Sequence, residues 1–481
     1  MTSPDRNAEE RNLDEQPGAD ELEEKLVAEK YAHKLIRKLR IRLADEPGML
    51  ARVASAVGEQ GGLIGDIVIL AIDSHAVERS ITVHVDNESH LQTIILRVRS
   101  IAGVTVEAVE DDVLKVHENG KLRVESNPRI ETLRDLQKVY TPGVASVSQL
   151  ILKEPQRFRD YTWAGRTVAI VTDGSAVLGL GNIGPRAALP VLEGKALLLD
   201  QLADVGCVPI LLDTQETDEI VATVGHVAEG FGAVLLEDIS APRCFEIESL
   251  LAQKLGVPIF HDDQHGTAVV TLAALINACA ATGTELESLR LVISGVGAAG
   301  AATAKLLVAA GVSEMICCDR AGAIHEGRTE HMNPVKHELS RLTNRSRASG
   351  SLAEMLSGAG AFVGVSSPGL VTGEMVASMS EPRIVFAMAN PLPEIMPAEA
   401  VAAGACVAMD GRTVNNALAF PGIVRGALDA GATSITDSMK LAAARAIAES
   451  APDGMLLPSV LDRQAHAAVA GAVGQAWEDQ G

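Results

Sequence analysis

Residues 290–319 constrain the fold more than any other stretch of the 481-residue chain. An apolar run, LeuArgLeuValIleSer, ends at Ser294 and leads directly into Gly295, Gly297 and Gly300; an alanine-rich helical run follows, and a second apolar run, MetIleCysCys, ends at Asp319. Strand, glycine turn, helix and strand with a terminal acid form the βαβ unit of a dinucleotide-binding sheet. The glycines let the backbone approach a pyrophosphate at the helix N-terminus, and the acid about twenty positions on reaches the adenosine ribose. A carboxylate there accepts hydrogen bonds from a free 2′-hydroxyl and repels a 2′-phosphate, so NAD is expected and NADP is the less favoured cofactor. Arg320, beside it, could pair with that phosphate. A second match, Gly179, Gly181 and Gly184, is preceded by ThrAspGlySer and followed by Pro185, and so lacks the continuous strand that a nucleotide loop needs.

From Arg166 onward apolar strands alternate with helical runs, which predicts parallel sheet covered on both faces. The length exceeds what one core organises, and three domains fit the motifs. A net charge of -22 and 2% aromatic residues argue against nucleic acid and against an anionic membrane surface as partners. No apolar run approaches the length of a membrane span, and the N-terminus is acidic, so a cytoplasmic location is expected. Six cysteines without a CxxC pair read as buried thiols.

Residues 1–24 are too acidic and too poor in apolar groups to offset ordering entropy, and predict a disordered tail. Residues 34–118 carry the pattern βαββαβ. Leu39, Ile41 and Leu43 alternate with Lys38, Arg40 and Arg42 on a strand; Leu50, Val53 and Val57, then Leu91, Ile94, Ile95 and Val98, recur at helical spacing. This is the ferredoxin-like layout. With AspGluProGlyMetLeu turning into the first helix, the segment resembles an ACT domain. The resemblance implies an amino-acid or organic-acid effector near Asp45, Gly48, Met49 and Leu50; a dimerisation module without a ligand is the alternative. The basic face at Lys38, Arg40 and Arg42 is either solvated or an attraction for acidic effectors. Residues 117–130 have the composition of a linker.

The remaining motifs stand in a fixed order: TyrThrProGlyValAla from Tyr140, LeuGluGlyLys ending at Lys195, LeuGluAsp ending at Asp238, PheHisAspAspGlnHisGlyThr from Phe260, the nucleotide loop, AlaAsnPro at Asn390, and AsnAsnAlaLeuAlaPheProGly holding Asn416. In this order they resemble the malic enzyme family, in its shorter bacterial branch, over about Ile130 to Gly426. The implied fold class is α/β: a ferredoxin-like ACT module, a malic-enzyme catalytic domain at 131–280, and a doubly wound Rossmann NAD-binding domain with C-terminal helices at 281–481. The resemblance also implies roles. Glu237, Asp238 and Asp263 hold Mg²⁺ or Mn²⁺; Lys195 deprotonates the C2 hydroxyl of malate and needs a lowered pKa; Asp262 orients it; Tyr140 protonates enolpyruvate at C3. Asn390 and Asn416 contact malate and nicotinamide, with Asn415 the weaker candidate. His261 and His265 are read as packing or supporting groups rather than zinc ligands. NADP-using relatives often carry a lysine just past the ribose acid, where this chain has Ala321. Eukaryotic relatives carry a substrate-binding arginine where this chain has Ser175, Ala176 and Val177, which leaves Arg186, Arg129 or a partner's arginine open. The expected reaction is malate to pyruvate with NAD reduction, in a homodimer or larger homo-oligomer. A malolactic enzyme and a catalytically silent effector-binding protein are the alternatives.

Overall fold

A computed structural model describes residues 34–480 apart from Asn127 and Leu178; the acidic segment 1–24 lies outside the described residues. Two compact units divide at Lys121 and Leu122.

In the first unit β1 (Leu35–Ala44), β2 (Leu63–Ile72), β3 (Ala76–Val85) and β4 (Val104–Glu110) form an antiparallel sheet in the order β2-β3-β1-β4. Helices Met49–Glu59 and Glu88–Arg99 cover it. The alternation on β1 is realised as expected: Leu39, Ile41 and Leu43 are buried, while the basic residues between them face outward. Each of those cations has an acid partner: Lys38 pairs with Asp112 at 2.6 Å, Arg40 with Glu78, and Arg42 with Asp73. The face is thus a set of exposed ion pairs, not an unmatched positive field. A short helix, Asp112–His117, follows β4 and leads into the expected linker; Asp111 caps it by accepting from the N–H groups of Val113 and Leu114.

The second unit holds two sheets. The first is parallel, in the order β6-β5-β7-β8, from β5 (Thr167–Thr172), β6 (Gly206–Leu211), β7 (Ala233–Leu236) and β8 (Ile259–His261). The second contains β9 (Arg290–Ser294), β10 (Glu314–Asp319), β11 (Gly322–Ala323), β12 (Ala361–Gly364), β13 (Ile384–Ala387) and β14 (Val407–Asp410). Its order, β11-β10-β9-β12-β13-β14, reverses direction across β9, the doubly wound arrangement; all its pairings are parallel except β10 with β11. One apolar core runs through both sheets, with Val168, Ile170 and Leu235 from the first and Leu291, Ile293 and Val363 from the second.

Between them lies the helix Asp262–Thr282, packed on helices Ala298–Ala309 and Asp437–Glu449. At 21 residues it is long and apolar enough, by length and composition, to cross a membrane, which corrects the expectation that no such run exists. Burial against both sheets explains its composition: it is hydrophobic on nearly all sides because it is a core helix, and it opens on two acids.

Candidate active site

Parallel pairing assembles the carboxylates. Because β7 lies beside β8 with Leu236 opposite His261, the residues that follow each strand, Glu237 and Asp238 on one and Asp262 and Asp263 on the other, emerge together at the C-terminal edge of the sheet. Asp238 adopts the left-handed backbone conformation at φ 55°, unusual outside glycine, and its N–H donates to Asp263 Oδ2 at 2.9 Å. One oxygen each from Glu237, Asp238 and Asp263 lie within 4.8 Å of one another. Glu237 Oε2 and Asp238 Oδ2 are buried without a hydrogen-bond partner. Burial and then the charge of Asp263 push Asp238 up to about 7; burial likewise drives Glu237 well above the carboxylate range. Orphaned, mutually repelling oxygens at this spacing fit a hard divalent cation such as Mg²⁺ or Mn²⁺.

Lys195 reaches this cluster from the helix Gly184–Ala203. It falls seven residues after Ala188 and four before Leu199, on the helix face whose other members are buried. Its Nζ hydrogen-bonds Asp262 and lies 2.8 Å from Glu237 Oε1. Asn416 Nδ2 donates to the same Asp262 oxygen at 2.7 Å. Burial alone would lower the lysine pKa, but Asp262, Glu237 and Asp263 together outweigh it and hold the ammonium well above its ordinary range. The expected lowering depended on a bound cation, and this is the direction without one. The cause is the number of carboxylates that surround a single ammonium; a cation bound to the same oxygens would offset their pull. Asp262, fully buried, is raised to about 6 by that burial, against the lowering charge of Lys195.

The acids open onto the nucleotide loop. A cavity of about 560 Å³ is lined by Asp263, Thr267, Gly297, Gly300, Asn390 and Asn416. Asn415 also lines it, but its side chain caps the turn by accepting from Ala417 N–H. A side chain at Gly297 would meet nothing within 4 Å, leaving backbone open for a pyrophosphate, whereas one at Gly300 would lie 1.9 Å from the Gly295 carbonyl oxygen. An adjoining cavity of about 960 Å³ is lined by Gly295, Asp319, Arg320, Lys336 and Ser366. Asp319 ends β10, where the sequence places the ribose acid, and its two oxygens already accept from the single nitrogen Arg328 Nη2, each at 2.7 Å, and one of them from Lys336 at 2.7 Å. Burial raises its pKa and these hydrogen bonds outweigh that, leaving it below its ordinary value. Arg320 instead faces His331 at 3.3 Å. The cations at the ribose acid are therefore Arg328 and Lys336, brought in by the β10–β11 hairpin and the helix Pro334–Leu342.

Several expected residues are not gathered here. Tyr140, at the end of the helix Leu133–Val139, is 65% exposed and lines neither cavity. Arg129 and Arg186 are exposed and line neither cavity. The arginine that does meet the Ser175 loop is Arg243, which donates to Asp173 Oδ2 and Ser175 Oγ, both at 2.6 Å. Behind the cluster of Glu237, Asp238 and Asp263, Glu248 accepts from His261 N–H, Gln264 and His265, and although burial raises it, the charge of His265 holds it at about 2. The histidines thus support the acids from outside the cluster. In the first unit Asp45 and Gly48 are exposed at the turn, but Met49 is buried in the apolar core, so it is withdrawn from any effector surface.

Comparison with known proteins places the chain among relatives. The malic enzyme N-terminal domain pattern matches residues 119–252, the malic enzyme NAD binding domain 264–476, and the ACT domain 34–106. The chain is 44% identical over 445 residues to NAD-dependent malic enzyme 1 of Bacillus subtilis, covering 92% of this chain and 98% of that one. It is 47% identical over 386 residues to the bifunctional malic/malolactic enzyme of the same organism, covering 78% and 94%. A crystal structure of NAD-dependent malic enzyme from Thermotoga maritima superposes with a TM-score of 0.73 at 42% identity, over 76% of this chain and 99% of that one.

Proposed function

The chain belongs to the malic enzyme family, and from that premise we propose that it oxidises (S)-malate to pyruvate and CO₂ with reduction of NAD, using Lys195 and its carboxylates. The observation that carries this reading is a buried lysine between Asp262 and Glu237, beside orphaned Glu237 and Asp238 oxygens, in a site whose Asp263 shares a cavity with the glycine loop. A divalent cation held by Glu237, Asp238 and Asp263 would supply the charge that polarises the C2 oxygen and stabilises the enolate left by decarboxylation. Lys195 receives the C2 hydroxyl proton as hydride leaves C2 for the nicotinamide, and Asp262, fixed by Asn416, keeps its Nζ aimed at that oxygen. Asn390 and Asn416 offer neutral amides to the malate carboxylates and the nicotinamide amide.

Tyr140 is the proposed proton donor to C3 of enolpyruvate. It stands between helices Leu133–Val139 and Gly143–Lys153, which have no buried residue and leave Leu133, Val139, Val144 and Leu152 exposed. An apolar surface of that kind favours a homodimer in which a second copy supplies the tyrosine. The ACT domain is the proposed seat of an amino-acid or organic-acid effector, and six unpaired cysteines favour a cytoplasmic location. The test is absorbance of NADH with malate, NAD and Mn²⁺, with and without chelator. Growth of the signal that chelator abolishes is expected, and no signal would refute the reading. The bifunctional relative keeps a malolactic activity in view, so the carbon product is identified in the same assay: pyruvate is expected, and lactate without free NADH would replace the proposal.

A further inference from the structure

We propose that Glu394 is a positioning residue: its carboxylate ties the loop after β12 to the loop after β13 and so sets the nicotinamide side of the NAD groove, an inference that rests on NAD occupying that groove. Glu394 is fully buried. One of its oxygens accepts from Ser366 N–H at 2.7 Å and Ser366 Oγ at 3.0 Å; the other accepts from Ala389 N–H at 3.0 Å. Each oxygen therefore serves a different loop. The two strands beneath are parallel neighbours with Gly364 opposite Ala387, and the carboxylate lies over Gly364. A Cβ there would stand 2.5 Å from the carboxyl carbon and 2.7 Å from both oxygens, so the glycine makes the room that the acid fills. The main chain of Glu394 is anchored as well, its carbonyl accepting from Val371 N–H at 3.1 Å.

What the clamp joins gives it a function beyond packing. Ser366 lines both the ribose-side cavity and the cavity that holds Asp263, so it stands where a dinucleotide crosses from pyrophosphate to nicotinamide. Ala389 immediately precedes Asn390, the amide proposed to meet substrate and nicotinamide. A carboxylate is suited to this place because all its facing partners are donors. Glutamine has the same shape but turns an NH₂ toward one of them, leaving a buried donor unmatched and releasing one loop.

The experiment compares NADH with ADP-ribose, which lacks the nicotinamide, by fluorescence titration and competition. In Glu394→Gln, NADH is expected to bind about tenfold more weakly while ADP-ribose stays within about twofold of the wild type. Ser366→Ala, which removes only the hydroxyl donor, is expected to give the same split at about threefold and keeps the test open if Glu394→Gln does not fold. Parallel weakening of both ligands would overturn the proposal, making Glu394 a general prop of the sheet; unchanged binding of both would overturn it equally. Failure of the wild-type protein to bind NADH would instead remove the reading of the groove on which it stands.

Discussion

Two glycines of one fingerprint are expected to fail in different ways when each is replaced by alanine. At Gly300 the new Cβ would lie 1.9 Å from the Gly295 carbonyl oxygen, 2.9 Å from its carbon and 3.0 Å from a Val365 methyl. A side chain could rotate away, but two of these three atoms are backbone, so the turn and the helix Ala298–Ala309 must separate. Overpacking relieved by side-chain movement costs about 1–3 kcal/mol. With backbone in the way the upper end applies, about 3 kcal/mol, and at roughly 2 °C per kcal/mol for a large domain the Tm falls by about 6 °C. At Gly297 the backbone is extended, at φ -84° and ψ -159°, and no atom lies within 4 Å of the added carbon. Its Tm should stay within about 1 °C, because nothing in the free protein is displaced. The methyl group instead occupies the space through which a pyrophosphate approaches the helix N-terminus, so NADH affinity is expected to fall by about tenfold or more. Thermal unfolding without ligand and fluorescence titration with NADH measure the two quantities separately. Gly297→Ala destabilised as much as Gly300→Ala, or binding NADH like the wild type, would refute the reasoning.

Other consequences are as direct. Asp263→Asn removes the negative charge and leaves one amide oxygen to serve both the cation and Asp238 N–H, so calorimetric Mn²⁺ affinity should drop by about tenfold or more; an unchanged isotherm contradicts the assignment. Asp319→Ser removes the acid while leaving Arg328 and Lys336 beside the ribose, so the ratio of kcat/KM for NADP over NAD should rise by about tenfold, and a fall would show that those cations do not face the 2′ position. Lys195→Met and Tyr140→Phe should each lose about 10²-fold or more of pyruvate formation, and heterodimers made by co-expression should recover part of it, because one of the two sites then holds both groups. Heterodimers as inactive as their parents would place both residues on one chain.

Local periodicity made most of the fold legible. The βαββαβ unit and the β9 turn depend on neighbours within about twenty residues, and there the alternation at Leu39, Ile41 and Leu43 and the glycine spacing at Gly295 are direct imprints of what is buried. Legibility ended where partners arrive from elsewhere. Arg328 and Lys336 reach Asp319 only because β11 turns back on β10, and nothing about an isolated arginine nine positions on announces that. Nothing in the sequence sets Glu248 or Glu394 apart from the other acids; only the fold half-buries the one and buries the other. Met49 misled because it adjoins an exposed glycine turn, yet it begins a helix whose inner face is core. The motif around Lys195 suggested a cation as its neighbour, but only the fold shows that the sheet edge also brings Asp262, Glu237 and Asp263 to bear on the ammonium. For Tyr140 the motif was plain and its surroundings were not, because its apolar hairpin finds no cover within the described chain.

The helix Asp262–Thr282 gives Asp262 and Asp263 a remote anchor. At about 1.5 Å of rise per residue, Asn277 lies some 22 Å from Asp262 along one continuous rod. There its side-chain amide donates to the carbonyls of Ala448 at 2.8 Å and Leu456 at 3.0 Å, fastening the rod to the C-terminal helices. A stiff rod fixed at its far end converts small rotations there into displacement of whatever it carries at the tip. Asp262 and Asp263 thus ride on a rod held at both ends, by Lys195, Asn416 and the Asp238 N–H at the tip and by Ala448 and Leu456 at the base.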